Sequence, residues 1–135
     1  MLCVFCQIVA GKIPADKVLE TPDMIAFLDI KPINLGHTLL IPKPHYENLF
    51  DLPDKLLKEM AGTLKKVAKI VKEVTRADGI NLAMNNLPAA GQLVPHAHFH
   101  IIPRFANDGY VHWKGKNVAP HELKEMAEKM RRPHE

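Results

Sequence analysis

Three histidines alternate with apolar residues in the run Pro95 to Arg104, PHAHFHIIPR. Successive side chains of a strand point to opposite faces, so His96, His98 and His100 would share one face while Ala97, Phe99 and Ile101 take the other. Two chemistries can use such a row. Three imidazoles can ligate one metal ion, but they must converge on it, and same-face neighbours on a strand project roughly in parallel, about 6.5–7 Å apart. Displacement at phosphorus suits the row better: one imidazole attacks as a nucleophile at neutral pH while its neighbour hydrogen-bonds the phosphate oxygens.

The two cysteines of the chain stand at C-x-x-C spacing, Cys3 and Cys6. One close pair cannot make a disulfide framework, which leaves a redox pair or half of a four-ligand zinc site.

These residues need elements to position them. Lys17–Glu20 and Met24–Asp29 read as two strands joined by a turn at Thr21, Pro22 and Asp23, and His37–Ile41 as a third strand stopped by Pro42 and Pro44. Leu56, Leu57, Met60, Leu64, Val67, Ala68 and Val71 recur at three- and four-residue steps, which predicts a long helix. It is expected to be capped by Asp51, to have Pro53 in its first turn and to end near Ala77–Gly79. Ile80–Asn85 follows as a strand, then the loop NNLPAAGQ, then the histidine segment as a fifth strand. Ala119–Arg131 reads as a short charged helix. Strands, one long helix and further strands predict an α+β domain with an antiparallel sheet rather than a βαβ repeat.

The 135 residues, 47% apolar and 24% charged, are one domain's worth, taken as 1–135 with a more variable tail over 105–135. No apolar run approaches the roughly 18 residues of a membrane span, so no membrane association is expected. The N-terminal MLCVFCQIVAGK lacks the basic start of a secretory signal, and the expected location is the cytoplasm. Net charge is only +3, and many lysines fall on the solvent face of the long helix. With aromatics at 6%, nucleic-acid binding is not expected.

The sequence resembles the histidine triad family, whose motif is His-x-His-x-His followed by apolar residues; HAHFHII matches it in full. The likeness extends from CVFCQIVAGKIPADKV through AFLDIKPINLGHTLLIPKPHYENL to NNLPAAGQLVPHAHFHIIPR and fades after Arg104. It implies a five-stranded antiparallel sheet with one long helix and short terminal helices, usually paired as a homodimer. The implied activity is a nucleotide hydrolase or transferase releasing AMP from phosphoramidate or adenylylated substrates through a covalent nucleotidyl-histidine. Dinucleoside polyphosphate hydrolysis and a non-catalytic nucleotide-binding module are the alternatives.

By the same resemblance His98 is the nucleophile and His100 bonds the α-phosphate or bridging oxygen. A backbone carbonyl is expected to fix the tautomer of His98. Gly91, five residues before His96, lets the backbone approach the phosphate, and the amides around Gly91 and Gln92, with the Asn85 side chain, stabilise the transition-state oxygens. Asp29 takes the ribose hydroxyls of a purine nucleotide. Ile8, Phe27 and Ile30 form the base pocket, and His37 supports the active-site histidines from behind. Cys3, Cys6, His45 of the segment IPKPH and His96 are the implied ligands of a structural zinc ion, with no metal needed for the chemistry. The chain departs from many family members at Leu93, where Ser or Thr is common. Trp113, after His112, is expected either to stack on a base or reach a partner's site, or to pack over the core.

Overall fold

The computed structural model of the chain describes residues 3–134. In chain order the elements are α1 (Val4–Val9), β1 (Lys17–Glu20), β2 (Met24–Leu28), β3 (Thr38–Pro42), α2 (Asp54–Thr75), β4 (Gly79–Ala83), β5 (Phe99–Arg104) and α3 (Pro120–Arg131). A single 3₁₀ turn, Pro88–Ala90, interrupts the loop between β4 and β5. The five strands form one antiparallel sheet, as the resemblance implied, and their order is β1-β2-β3-β5-β4.

The sheet is covered unequally. On one face α2 lays Met60, Val67 and Val71 against Met24 and Ala26 of β2, Leu40 of β3 and Ile101 of β5. On the other face the short helix α1 sets Phe5 and Ile8 against Ile25, Phe27, Leu39 and Ile41. Strands β2 and β3 are therefore buried on both sides, which is why MIAFL and TLLIP are continuous apolar runs rather than alternating ones. Each large side chain buried in this way contributes about 1.5–3 kcal/mol.

Several boundaries differ from expectation. Pro53 occupies the N-cap position of α2 without a side-chain cap, and Asp51 instead accepts a hydrogen bond from the Glu47 amide at 3.1 Å. The helix ends at Thr75, followed by Arg76 in the left-handed region at φ 57°. Strand β4 stops at Ala83, short of Asn85, and β5 begins only at Phe99. His96 thus lies in a bend, with its amide donating to Val94 O at 2.9 Å, and only His100 sits within the strand.

Past β5 the Arg104 guanidinium grips both carboxylate oxygens of Asp108, at 2.8 and 3.0 Å. Asn34 donates to the same carboxylate at 3.0 Å, so the β2–β3 connection is fastened to the end of the sheet. Helix α3 buries none of its residues. Among the described residues no helix is long and apolar enough to cross a membrane.

Candidate active site

Strand pairing brings together three positions far apart in sequence. The Asp29 amide donates to His37 O at 2.9 Å as β2 turns into β3. The β3–β5 register then sets Leu39 opposite His100. Asp29, His37 and His100 meet at this end of the sheet, with His37 Nε2 3.7 Å from Asp29 Oδ2 and 2.9 Å from His100 Nδ1.

The protons on these rings follow from their partners. The Ile33 amide can only donate, and it reaches His37 Nδ1 at 3.1 Å, so neutral His37 carries its proton on Nε2. That Nε2–H donates to His100 Nδ1, which leaves the His100 proton on its own Nε2. His98 is fixed in the opposite sense. Its Nδ1–H donates to the His96 carbonyl at 2.7 Å, the partner expected from sequence, and Nε2 is left with a lone pair. The rings of His98 and His100 lie 5.0 Å apart between centroids, so a ring with a free lone pair on Nε2 neighbours a ring with a free N–H.

Burial keeps the set neutral. It is the largest influence lowering the pKa of His37, His96 and His98 below the usual imidazole value. His100 is pushed down to about 4, by burial first and then by the charges of His98 and His37.

His98 and His100 open onto a cavity of about 510 Å³. Ile8, Phe27 and Asp29 line it with them, and Asn85 and Gly91 form another part of the wall. Ile30 stands at the rim, 90% exposed, and Leu93 at the mouth, 92% exposed. Asp29 also closes its own turn, Oδ1 accepting from the Lys31 amide at 2.9 Å, so the local turn role and the cavity position coexist.

Phe5 belongs to this wall and was not singled out in the sequence. Its ring meets Phe27 at 5.5 Å and His98 at 5.2 Å, both nearly edge to face. The three-residue step from Phe5 to Ile8 on α1 was the available signal. Trp113 is 97% exposed, which rules out packing over the core.

The loop before the histidines differs from expectation. The Gly91 amide donates to Pro88 O at 2.9 Å and the Gln92 amide to Leu87 O at 3.3 Å, so both are used in shaping the loop. The Asn85 carboxamide approaches Gly91 O at 3.4 Å. Gly91 has φ 91°, a conformation that L side chains rarely adopt, which is its requirement for glycine. The Gln92 side chain makes hydrogen bonds within the protein and is not part of the cavity wall.

A second constellation includes His96, two residues before His98. The ligand atoms of Cys3, Cys6, His45 and His96 all fall within 4.8 Å of one another. His96 Nδ1 is 3.4 Å from Cys3 Sγ and 3.5 Å from Cys6 Sγ, and His45 Nδ1 is 3.3 Å from Cys6 Sγ. Tetrahedral zinc with ordinary bond lengths has a sulfur–nitrogen edge of about 3.5 Å, so the residues fit the ion. The tautomer also fits, since His96 Nε2–H donates to Pro42 O at 2.8 Å and frees Nδ1 for the metal. Asp29, His37 and His100 are also close enough to hold a cation, but the facing nitrogens of the two rings already share a proton and His37 Nδ1 is taken by Ile33.

Comparison with known proteins gives matches over this whole arrangement. The HIT domain family profile matches residues 10–107. The adenosine 5'-monophosphoramidase of Schizosaccharomyces pombe is 39% identical over 133 residues, covering 96% of each chain. The crystal structure of a HIT family member from Bacillus subtilis superposes with a TM-score of 0.90 at 36% identity, covering 100% of both chains. A Zn-bound histidine triad family protein from Mycobacterium smegmatis superposes with a TM-score of 0.77 at 39% identity, over 85% of this chain and 84% of that one.

Proposed function

The chain belongs to the HIT domain family, an enzyme of the histidine triad class, and on that premise we propose that it releases AMP from phosphoramidate or adenylylated substrates. The observation that carries this reading is the commitment of His98 Nδ1–H to the His96 carbonyl, which leaves Nε2 free to attack beside the N–H of His100.

In the first step the His98 Nε2 lone pair forms a bond to the α-phosphorus while the bond from phosphorus to the leaving group breaks. His100 Nε2–H hydrogen-bonds the bridging atom, and His37 behind it fixes the tautomer that makes this donor available. In the second step water attacks the nucleotidyl-histidine, the nitrogen–phosphorus bond breaks, and AMP leaves with His98 neutral again; the proton that the water gives up to solvent balances the one that the leaving group took from solvent in the first step. Asp29 binds the ribose hydroxyls. Ile8, Phe27 and Ile30, with Phe5, receive the purine, while Asn85 and the Gly91 backbone approach the phosphate.

Cys3, Cys6, His45 and His96 hold a structural zinc ion in this reading. When bound, the ion supplies a cross-link rather than a Lewis acid. It ties α1, and with it Phe5 and Ile8, to the segment that carries the nucleophile. The protein acts in the cytoplasm as one domain spanning 1–135. It pairs as a homodimer, and its edge strand β4, with Leu82 half exposed, offers a sheet edge for that pairing.

The test is AMP release from adenosine 5'-phosphoramidate, an adenylylated lysine analogue and diadenosine polyphosphates, by the wild type and His98→Ala in parallel. Release by the wild type that vanishes in the variant supports the histidine mechanism and ranks the substrates. Preference for the polyphosphates would favour dinucleoside polyphosphate hydrolysis. No release from any of them, with AMP still bound, would favour the nucleotide-binding module.

A further inference from the structure

Gly91 and Leu93 line the cavity, while the Gln92 side chain between them is engaged elsewhere. Its carboxamide makes three hydrogen bonds. Oε1 accepts from the Leu87 amide at 2.8 Å, and Nε2 donates to the carbonyl of Glu47 and, at 3.1 Å, to that of Val94. One side chain thereby joins the loop after β4, the segment just past His45 and the segment just before His96.

Leu87 is the residue this clamp holds. Its backbone stands at φ 75°, ψ 156°, a combination that is essentially reserved for glycine. Its side chain is 52% exposed, so burial does not account for the conformation. The following residue, Pro88, favours an extended ψ in its predecessor, which explains ψ but not φ. What holds φ is the bonding at both ends of the residue: the amide to Gln92 Oε1, and the carbonyl to the amides of Ala90 at 3.1 Å and Gln92 at 3.3 Å.

We propose that Gln92 is a positioning residue that clamps Leu87 in this strained state, and that the strained state sets Gly91 and Leu93 against the α-phosphate and its leaving group. The role in turnover rests on the hydrolase reading; the role in phosphate recognition does not require chemistry. A side chain that merely stabilised the loop would be indifferent to which residue occupies position 87. A clamp acting against strain would not be, because glycine reaches positive φ unaided.

The experiment compares wild type, Gln92→Ala, Leu87→Gly and the double variant in AMP release, in affinity for AMP and for adenosine, and in Tm. Gln92→Ala is expected to lower kcat about tenfold or more and to erode the preference for AMP over adenosine, while adenosine affinity stays within about twofold. Leu87→Gly is expected to raise Tm by about 2–6 °C as strain is relieved. In the Leu87→Gly background the losses caused by Gln92→Ala should shrink at least about threefold, a coupling that independent sites do not show.

Equal losses in both backgrounds would overturn the proposal. So would a Gln92→Ala protein with unchanged kcat and AMP preference. Absence of turnover by the wild type on every substrate would remove the hydrolase reading alone, since AMP preference and its rescue by Leu87→Gly still report on the clamp. Should Gln92→Ala lose its cooperative unfolding, Gln92→Met is judged by the same criteria: it keeps the length of the side chain and removes the acceptor for the Leu87 amide.

Discussion

His37 and His100 are joined ring to ring, Nε2 to Nδ1 at 2.9 Å, although 63 residues separate them in the chain. With the Ile33 amide on its far side, His37 is the link through which backbone geometry dictates which nitrogen of His100 carries a proton. Replacing His37 by Ala removes the donor and frees His100 to adopt either tautomer. We expect kcat for AMP release to fall about 10- to 100-fold with little change in AMP affinity. Unchanged kcat in steady-state assays would count against a role for His37 in ordering the site.

Acid pH acts on the same rings. Burial lowers the pKa of His98, and that of His100 is about 4, so both are neutral at pH 7. Protonation of His98 Nε2 removes the attacking lone pair; activity should therefore persist below the ordinary imidazole pKa of about 6.5 and fall as pH drops through the lowered value. Stability has the same sign. The unfolded chain binds protons on these histidines more readily than the folded one, so stability is fully present above about pH 6.5 and declines from there toward the folded pKa values. A pH–rate profile and a series of Tm values across pH 4–7.5 read the two effects separately, and an acid limb centred above pH 6.5 would contradict the assignment.

Zinc gives a third prediction. The four ligand atoms grouped around Cys3, Cys6, His45 and His96 should hold one zinc ion per chain by elemental analysis. Removal by a strong chelator, or the substitution Cys3→Ser, should lower Tm and weaken AMP binding through the loosened Phe5 and Ile8. It should not alter the pH dependence of turnover, because no reaction step uses the ion. Metal-replete protein that contains no stoichiometric zinc would refute the site.

Asp29 supplies a fourth. If its carboxylate receives the ribose hydroxyls, Asp29→Asn should raise KM for adenosine phosphoramidate by about 10- to 100-fold, the loss of a charge-assisted hydrogen bond of roughly 1.5–3 kcal/mol. The 2',3'-dideoxy analogue should be affected far less. Equal losses for both substrates would assign Asp29 to the Lys31 turn alone.

Much of this arrangement was legible in the sequence because the chemistry is concentrated. Alternation at His96, His98 and His100 and the C-x-x-C of Cys3 and Cys6 announce themselves, and the step pattern from Leu56 to Val71 marks α2. Other features were not visible for definable reasons. The ladder reading assumed a regular strand from Pro95, but His96 lies in a bend, and that bend lets its ring face Cys3 and Cys6 while its carbonyl serves His98. Phe5 was hidden because α1 has six residues, too few for a periodic pattern to stand out. The strain at Leu87 is a backbone dihedral, which a leucine in a sequence cannot report.

His96 touches two neighbours in two chemical languages. Its side chain addresses the cysteines, while its main-chain oxygen addresses the ring of His98. Any amino acid at position 96 would offer that oxygen; only a few would offer a metal ligand. Over evolutionary time the two services are therefore separable. A descendant that lost Cys3 and Cys6 could replace His96 without losing the orientation of His98, and the cysteine–histidine group could arise at this place without disturbing that orientation.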